Sequence, residues 1–297
     1  MKSQSSTNSL PRVAVIGTGT MGGAMAARLL ASNFDVDVWS RHPISTLRLF
    51  QLGATSHANV QDAVAKADVV ITMLPTADVT AEVMFDDGGL SSLKRNAVWV
   101  QMATVGISAT EDFAAQVGAQ RPDVDFVDAP VSGSRVPTES GQLLILASGH
   151  NAGRWQLESV FQSLGRRTMW LGPVGAGSRT KLILNTWLAF QVEGAAEAAL
   201  LAHRLNLDPA TLQEALRDNP IASPFALAKL GKIIQADFRS DFSLDLALKD
   251  LDLVIADAGD YVAPVVTVIA KRWRDLVENG ASGLDVSAAG RQFAHTA

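Results

Sequence analysis

At 297 residues the chain is long enough for one large or two ordinary domains with a sizeable core, and a net charge of −5 gives a polyanion nothing to grip, so nucleic acid is not an expected partner. Cysteine is absent, which excludes disulfides, thiolate metal sites and a cysteine nucleophile and makes a reducing cytoplasm the simplest setting. No apolar run approaches the roughly 18 residues of a membrane span, and the polar start "MKSQSSTNSLPR" lacks the apolar centre of a signal peptide, so residues 1–11 are expected to form a disordered lead.

From there to about Leu171, short β-rich runs alternate with helix-like segments: "RVAVIG", "DVDVWS", "ADVVITML", "NAVWVQM", "VDFVDAP" and "QLLILASG". The alternation implies βαβ units and an α/β fold with a mostly parallel, doubly wound sheet of Rossmann type. The first strand runs into "GTGTMG", which sets Gly17, Gly19 and Gly22 in G-x-G-x-x-G spacing ahead of a helix, with Thr18, Thr20 and Met21 between them. Gly17 suits a tight turn, Gly19 the close approach of a pyrophosphate, and Gly22 close helix packing, with the helix N-terminus facing the phosphates. Dinucleotide binding is predicted; the bland alternative is a glycine-rich turn in another α/β fold.

The second strand ends in Ser40 and Arg41, where a site for NAD would carry an acid for the ribose 2'-hydroxyl. A carboxylate there repels a 2'-phosphate, whereas a guanidinium pairs with it in a forked, charge-assisted geometry, so NADP is the expected coenzyme. The competing reading is a solvated arginine. Leu74 and Pro75 end the third of these runs and Thr104 follows the fourth, at strand ends where ligands collect in open α/β sheets or where turns simply form. The loop from Asp128 to Leu143 carries Ser132, Gly133 and Ser134. Their uncrowded backbone N–H groups can point at a substrate carboxylate, or they make an ordinary serine/glycine turn.

After Gly177 strand signals vanish, and Ala/Leu-rich helical segments follow, broken at "LNLDP", "DNP", "SP" and "APVV". The organisation read from this is a Rossmann-type domain over 1–173 and an all-helical domain over 174–297, entered by a long helix from about Ala176 to Arg204. At 1.5 Å per residue that helix extends about 43 Å and joins the two domains. Its head reads "GAGSRTKLILNTWLAF", which puts Lys181 and Asn185 on one face at i and i+4. In a dry cleft beside a nicotinamide the lysine can stabilise charge developing on a carbonyl oxygen and deliver its proton, while the asparagine orients it. The plain alternative is a lysine snorkelling at a helix start. The five histidines are scattered and neither H-E-x-x-H nor G-x-S-x-G is present, so no metal and no serine nucleophile is expected.

Taken in order, "GTGTMG", "DAPVSGS", "GAGSRTKLILN" and "KDLDL" resemble the β-hydroxyacid dehydrogenase family, which includes 3-hydroxyisobutyrate dehydrogenases, tartronate semialdehyde reductases and glyoxylate/succinic semialdehyde reductases. The resemblance covers nearly the whole chain. It implies that the loop holding Ser132, Gly133 and Ser134 binds substrate, that Lys181 is the proton donor or acceptor assisted by Asn185, and that Leu74, Pro75, Thr104 and Lys249 lie near the coenzyme. By sequence alone Lys249 pairs with Asp245 at i−4 and is solvated. Ser134 and Thr138 stand where the family usually has glycine and alanine, which predicts a narrower, more polar nest for the anion. The activity implied is reversible NADPH-dependent reduction of a small carboxylate-bearing aldehyde or keto acid, in a cleft between domains of a homodimer or homotetramer. Imine reductases share this architecture but usually carry another residue in place of Lys181. A non-catalytic cofactor-sensing protein would keep the fold without turnover, and the presence of Lys181 and Asn185 argues against it.

Overall fold

A computed structural model describes residues 10–149, 154–259 and 263–293; the lead expected over 1–11 falls, through Ser9, outside the described residues. The chain divides into two compact units, one ending at Lys181 and the other beginning at Leu182, both within the long helix.

The first unit is built on six strands that the alternating pattern predicts: β1 (Val13–Ile16), β2 (Val36–Trp39), β4 (Val69–Thr72), β5 (Val98–Gln101), β6 (Asp125–Asp128) and β8 (Leu143–Gly149). Three more strands escape that pattern: β3 (Thr55–Ser56), β7 (Val131–Ser132) and β9 (Gly165–Trp170). Two of these are two residues long, and the third carries the exposed Arg166 and Arg167, so no apolar run marks them. The sheet order is β3-β2-β1-β4-β5-β6-β8-β7, with β9 on the other side of β8. From β3 to β6 every pairing is parallel, while β6 and β7 pair with β8 antiparallel.

Strands of a parallel sheet covered on both faces should be apolar throughout, and β1, β2, β4 and β5 are buried along their whole length. Alternation then sorts their side chains. Val13, Val15, Val36, Val38, Val69, Ile71, Val98 and Val100 enter one core with Met25 and Leu29 of α1 (Thr20–Ala31), whereas Ala14, Ile16, Val70 and Trp99 enter the other with Phe113 of α5 (Ile107–Gln120). Five short or medium helices complete this unit: α2 (Leu47–Gln51), α3 (Val60–Val64), α4 (Ala77–Ala81), α6 (Arg135–Glu139) and α7 (Arg154–Leu164).

Residues of the second unit are helical. It takes the later part of α8 (Ala176–Arg204) and continues as α9 (Pro209–Leu216), α10 (Pro224–Ile234), α11 (Leu244–Ala258) and α12 (Pro264–Leu276). Three of these begin on a proline, whose missing N–H costs nothing at the first helical position, and Asp208 and Ser223 accept a first-turn N–H at two of the starts. The core joins Val192 and Ala196 of α8 to Leu230, Leu248, Ile269 and the fully buried Trp273. Buried Asp285 pins the last segment by accepting from Lys229 Nζ at 2.8 Å and from the Asp241 backbone N–H at 3.0 Å. Among the described residues no helix is long and apolar enough to cross a membrane.

Candidate active site

Parallel register lines up the strand ends. Trp39 pairs with Ile16, Ile16 with Thr72, Thr72 with Gln101 and Gln101 with Asp128, so the chain leaves five adjacent strands along one row. Ser40, Gly17, Leu74, Thr104 and the loop from Asp128 all stand just past that row, where the carboxyl ends of the strands leave room for a ligand. Beneath it Trp99 Nε1 donates to Thr72 Oγ1 and Thr72 Oγ1 to Gln101 Oε1, both at 2.9 Å, and Gln101 Nε2 donates to the Ala103 carbonyl at 2.7 Å. This buried network fixes the turn that leads to Thr104.

The three glycines of the first loop do different things. Gly17 has φ +96°, and a Cβ there would meet the Met73 carbonyl oxygen at 2.5 Å and Leu74 Cδ2 at 2.9 Å, so Leu74 lies against the turn. A Cβ on Gly22 would fall on the Gly17 carbonyl oxygen, which leaves α1 no other residue at that point. Gly19 differs: it is exposed, caps α1 with extended backbone and no side-chain hydrogen bond, and has nothing within 4 Å of where a Cβ would be. The first turn of α1 holds no acid, and its leading amides have no partner within the helix. Open space over Gly19, exposed Thr20 and an uncapped helix start fit a pyrophosphate. Thr18 faces inward, 2.6 Å from Ser45 Oγ, and Met21 is half-buried with its sulfur 3.8 Å from Thr138 Oγ1.

Arg41 is exposed, 3.7 Å from Glu82, and Ser40 is half-buried beside it. In the loop that follows Asp128, Ser132 pairs with Leu144 across β7 and β8. Gly133 has φ +139°, and a Cβ there would press on Leu143 Cδ2 at 2.7 Å; Ser134 caps α6 without a side-chain bond. Thr138 departs from expectation. It is fully buried and its hydroxyl donates to the Ser134 carbonyl at 2.9 Å, so the polarity it adds is spent within α6 and not on the nest.

Asp128 is fully buried at the end of β6 and accepts from the Ser178 backbone N–H at 2.9 Å, Ser178 Oγ at 2.8 Å and Ser148 Oγ at 2.9 Å. Ser148 Oγ in turn accepts from the Gly177 N–H at 3.0 Å. The first amides of α8 are therefore capped by a carboxylate and a hydroxyl from the sheet. Burial pushes the Asp128 carboxyl above its ordinary range, opposed by the bonds from Ser178 and Ser148 and from the Gly175 backbone. Lys181 follows Ser178 by three residues, so this clamp sets where the half-buried lysine stands relative to the loop that starts at Asp128.

In the second unit Asn185 is buried and its Nδ2 donates to Asp250 Oδ2. An amide beside a carboxylate must turn its donor toward it, which leaves Oδ1 of Asn185 as the atom it can present elsewhere. Lys249 is half-buried, and the i−4 spacing does not give its nearest carboxylate. Asp245 Oδ1 accepts from the Gly283 N–H at 3.0 Å instead, and Lys249 Nζ lies 3.0 Å from Asp250 Oδ1. Of the aromatic residues nearby in sequence, Phe238 and Phe242 pack on the helical core and Trp187 is exposed. The sequence reading did not single out Asp250, Ser148 or the capping role of Asp128. For Asp250 a signal existed, since it is an acid on the buried face that Leu244, Ala247, Leu248 and Leu251 form on α11.

Residues 12–172 match the family model described as NAD binding domain of 6-phosphogluconate dehydrogenase, and residues 175–293 that described as NAD-binding of NADP-dependent 3-hydroxyisobutyrate dehydrogenase. The chain is 33% identical over 246 residues to the 2-(hydroxymethyl)glutarate dehydrogenase of Eubacterium barkeri, covering 82% of this chain and 81% of that protein. It is 30% identical to glyoxylate/succinic semialdehyde reductase 1 of Arabidopsis thaliana, covering 93% and 96% of the two chains. Its fold superposes on the Mycobacterium tuberculosis 3-hydroxyisobutyrate dehydrogenase solved with L-serine with a TM-score of 0.86 at 25% identity, over 96% of this chain and 99% of that one.

Two outcomes test this geometry. Gly22→Ala should cost about 1–3 kcal/mol or more of folding stability, because backbone and not a flexible side chain blocks the new methyl group. Gly19→Ala should leave the urea midpoint nearly unchanged yet weaken NADPH binding by about tenfold, roughly 1.4 kcal/mol, since the methyl group fills the space above the helix start. Equal effects of the two substitutions on folding would refute the division of roles.

Asp128 gives a pH test. Its folded pKa lies above the unfolded value, so the folded state holds the proton more tightly and the stability tied to that proton is lost as pH rises through the folded pKa. Melting temperatures of the wild type and Asp128→Asn, taken from pH 4 to 8, should therefore diverge in favour of the wild type toward the acid end. A gap that widens toward alkaline pH would contradict the assignment.

Proposed function

Since the chain belongs to the β-hydroxyacid dehydrogenase family, we propose that it catalyses the reversible NADPH-dependent reduction of a small carboxylate-bearing aldehyde or keto acid to its hydroxy acid. That it is an oxidoreductase with a nicotinamide coenzyme follows from the family. The choice of NADP, the residues and the substrate class are our reading. Residues 1–173 serve the coenzyme and 174–297 form the helical domain that α8 enters.

The observation that supports the mechanism is the clamp on α8, in which Ser178, one turn before Lys181, is bonded to Asp128 at the start of the loop. The coenzyme, when bound, supplies the hydride for the carbonyl carbon. Lys181, as ammonium, donates a hydrogen bond to the carbonyl oxygen, stabilises the charge that develops there and gives up the proton that completes the alcohol. In the oxidative direction its neutral amine takes that proton back. Asn185, with Nδ2 committed to Asp250, offers an acceptor oxygen that aligns the ammonium or the substrate hydroxyl. Backbone N–H groups of Ser132, Gly133 and Ser134 take the substrate carboxylate without a cationic side chain.

Gly17, Thr18, Gly19, Thr20, Met21 and Gly22 would cradle the pyrophosphate, Ser40 and Arg41 the 2'-phosphate, and Leu74, Pro75, Thr104 and Lys249 the remainder of the coenzyme. A homodimer or homotetramer agrees with the exposed apolar residues Ile183, Trp187 and Leu201 on α8 and Leu205 just past its end. The imine-reductase alternative loses ground to the retained Lys181. Coenzyme oxidation with a panel of semialdehydes, keto acids and cyclic imines separates the two, and turnover of imines alone would overturn our reading.

Lys181→Ala keeps helix propensity, so fold and coenzyme affinity should survive while kcat falls by about a hundredfold or more. Lys181→Arg should not restore it, because a guanidinium does not give up its proton at working pH. Single-turnover NADPH oxidation with saturating aldehyde decides the matter; a rate within a few-fold of wild type makes the lysine a bystander.

For the coenzyme, Arg41→Asp should weaken NADPH binding by about 1.5–3 kcal/mol, the scale of a lost charge-assisted pair, and NADH binding far less. Parallel losses, or a wild-type preference for NADH, would sink the NADP assignment.

A further inference from the structure

Arg41 follows β2, and Glu82 closes α4, the helix that follows β4; β1 lies between those two strands. The glycine loop is tied to both neighbours, since the Gly17 N–H donates to the Trp39 carbonyl at the end of β2 and the Met73 N–H, just past β4, donates to the Ile16 carbonyl, both at 2.9 Å. The approach of Arg41 Nη1 to Glu82 Oε2 at 3.7 Å therefore joins elements on either side of the loop that leaves β1. Neither side chain is buried: Arg41 is 48% and Glu82 54% exposed. Glu82 begins a π-helical turn, Glu82–Asp86, in which its carbonyl accepts from the Asp87 N–H at 2.8 Å, so its backbone is fixed while its carboxylate is not.

From this we infer that Glu82 is a specificity-determining residue that competes with the coenzyme 2'-phosphate for Arg41. The inference rests on the reading of Arg41 as the 2'-phosphate ligand. A guanidinium in the field of a carboxylate has part of its charge answered already, and a dianionic phosphate arriving at the same group must displace that carboxylate or share the arginine with a like charge. NADH, with a ribose hydroxyl, meets no such conflict. Glu82 thus lowers the affinity for NADPH while leaving that for NADH alone, and it narrows the preference that Arg41 establishes. At 3.7 Å, and with both partners exposed, the pair is loose enough for the exchange to need only side-chain rotation. The effect should be modest and salt-sensitive.

The test is a double-mutant cycle read by direct binding of NADPH and NADH to the full chain, using the change in coenzyme fluorescence, in wild type, Glu82→Gln, Arg41→Ala and the double variant. Glu82→Gln is expected to tighten NADPH about threefold to fivefold at low salt and to change NADH less than about twofold, the scale of an exposed ion pair. The gain should vanish in the Arg41→Ala background and shrink at about 0.5 M salt, where charges are screened within a few ångströms. If Arg41→Ala weakens NADPH selectively but Glu82→Gln leaves it unchanged or weakens it, competition is wrong while the coenzyme assignment stands. If Arg41→Ala weakens both coenzymes alike, the assignment fails and the inference falls with it. Persistence of the full gain without Arg41 would show that Glu82 acts on the phosphate directly, and would also overturn competition for the arginine.

Discussion

The buried carboxylate of Asp128 is the constraint on which the arrangement of the first unit depends. A carboxyl group with no exposed surface is tolerated only when its oxygens are hydrogen-bonded, and here backbone amides and two hydroxyls bond them. Ser178, at the start of α8, supplies both its amide and its hydroxyl, at a position whose leading amides would otherwise lack partners. One interaction thereby satisfies two needs, and its consequence is positional. The strand that leads into the loop from Asp128 and the helix that carries Lys181 share one anchor, so neither can shift without breaking its hydrogen bonds. Gly177 adds to the constraint, because a Cβ there would reach the Leu146 carbonyl oxygen and lie 3.0 Å from Asp128 Oδ2, which shows how closely the helix start is drawn onto the sheet.

The same logic of close approach governs the glycine loop, with an opposite use of space. Gly17 and Gly22 are required because backbone of Met73 and of Gly17 itself occupies the volume of a side chain. At Gly19 that volume is open, and the fold makes no demand for glycine there. Parallel register puts this open position in line with Ser40, Leu74 and Thr104, residues far apart in the chain, because each belongs to the turn that follows a strand end in the same row.

What was legible in the sequence follows from the range of the physics involved. Six strands could be read because each is a short run dominated by apolar, mostly β-branched or aromatic residues, and the helix starts at Pro209, Pro224 and Pro264 because proline is tolerated there and disfavoured further in. β3 and β7 could not be read, since two residues form no period, and β9 could not because its exposed arginines break the apolar run. The roles of individual polar residues were harder. Asp128 and Ser178 are 50 residues apart, Asn185 and Asp250 are 65 apart, and no local pattern announces such pairs. Local spacing misled at Lys249, where i−4 pointed to Asp245 although the nearer carboxylate is that of the adjoining Asp250.

The pairing of Asn185 with Asp250 bears on what an asparagine can contribute beside a lysine. A free carboxamide can rotate to present either its oxygen or its nitrogen, and an ammonium has use only for the oxygen. The Asp250 carboxylate removes the choice, because the reversed amide would set two acceptors against each other in a buried place. Asp250 carries a second relation, to Lys249 on the adjacent position of α11, so one carboxylate orients a neutral group and sits beside a cationic one. The segment "KDLDL" thus carries an acid, Asp250, that meets residues on two helices, Asn185 of α8 and Lys249 of α11, and it fixes which end of the Asn185 amide is the donor.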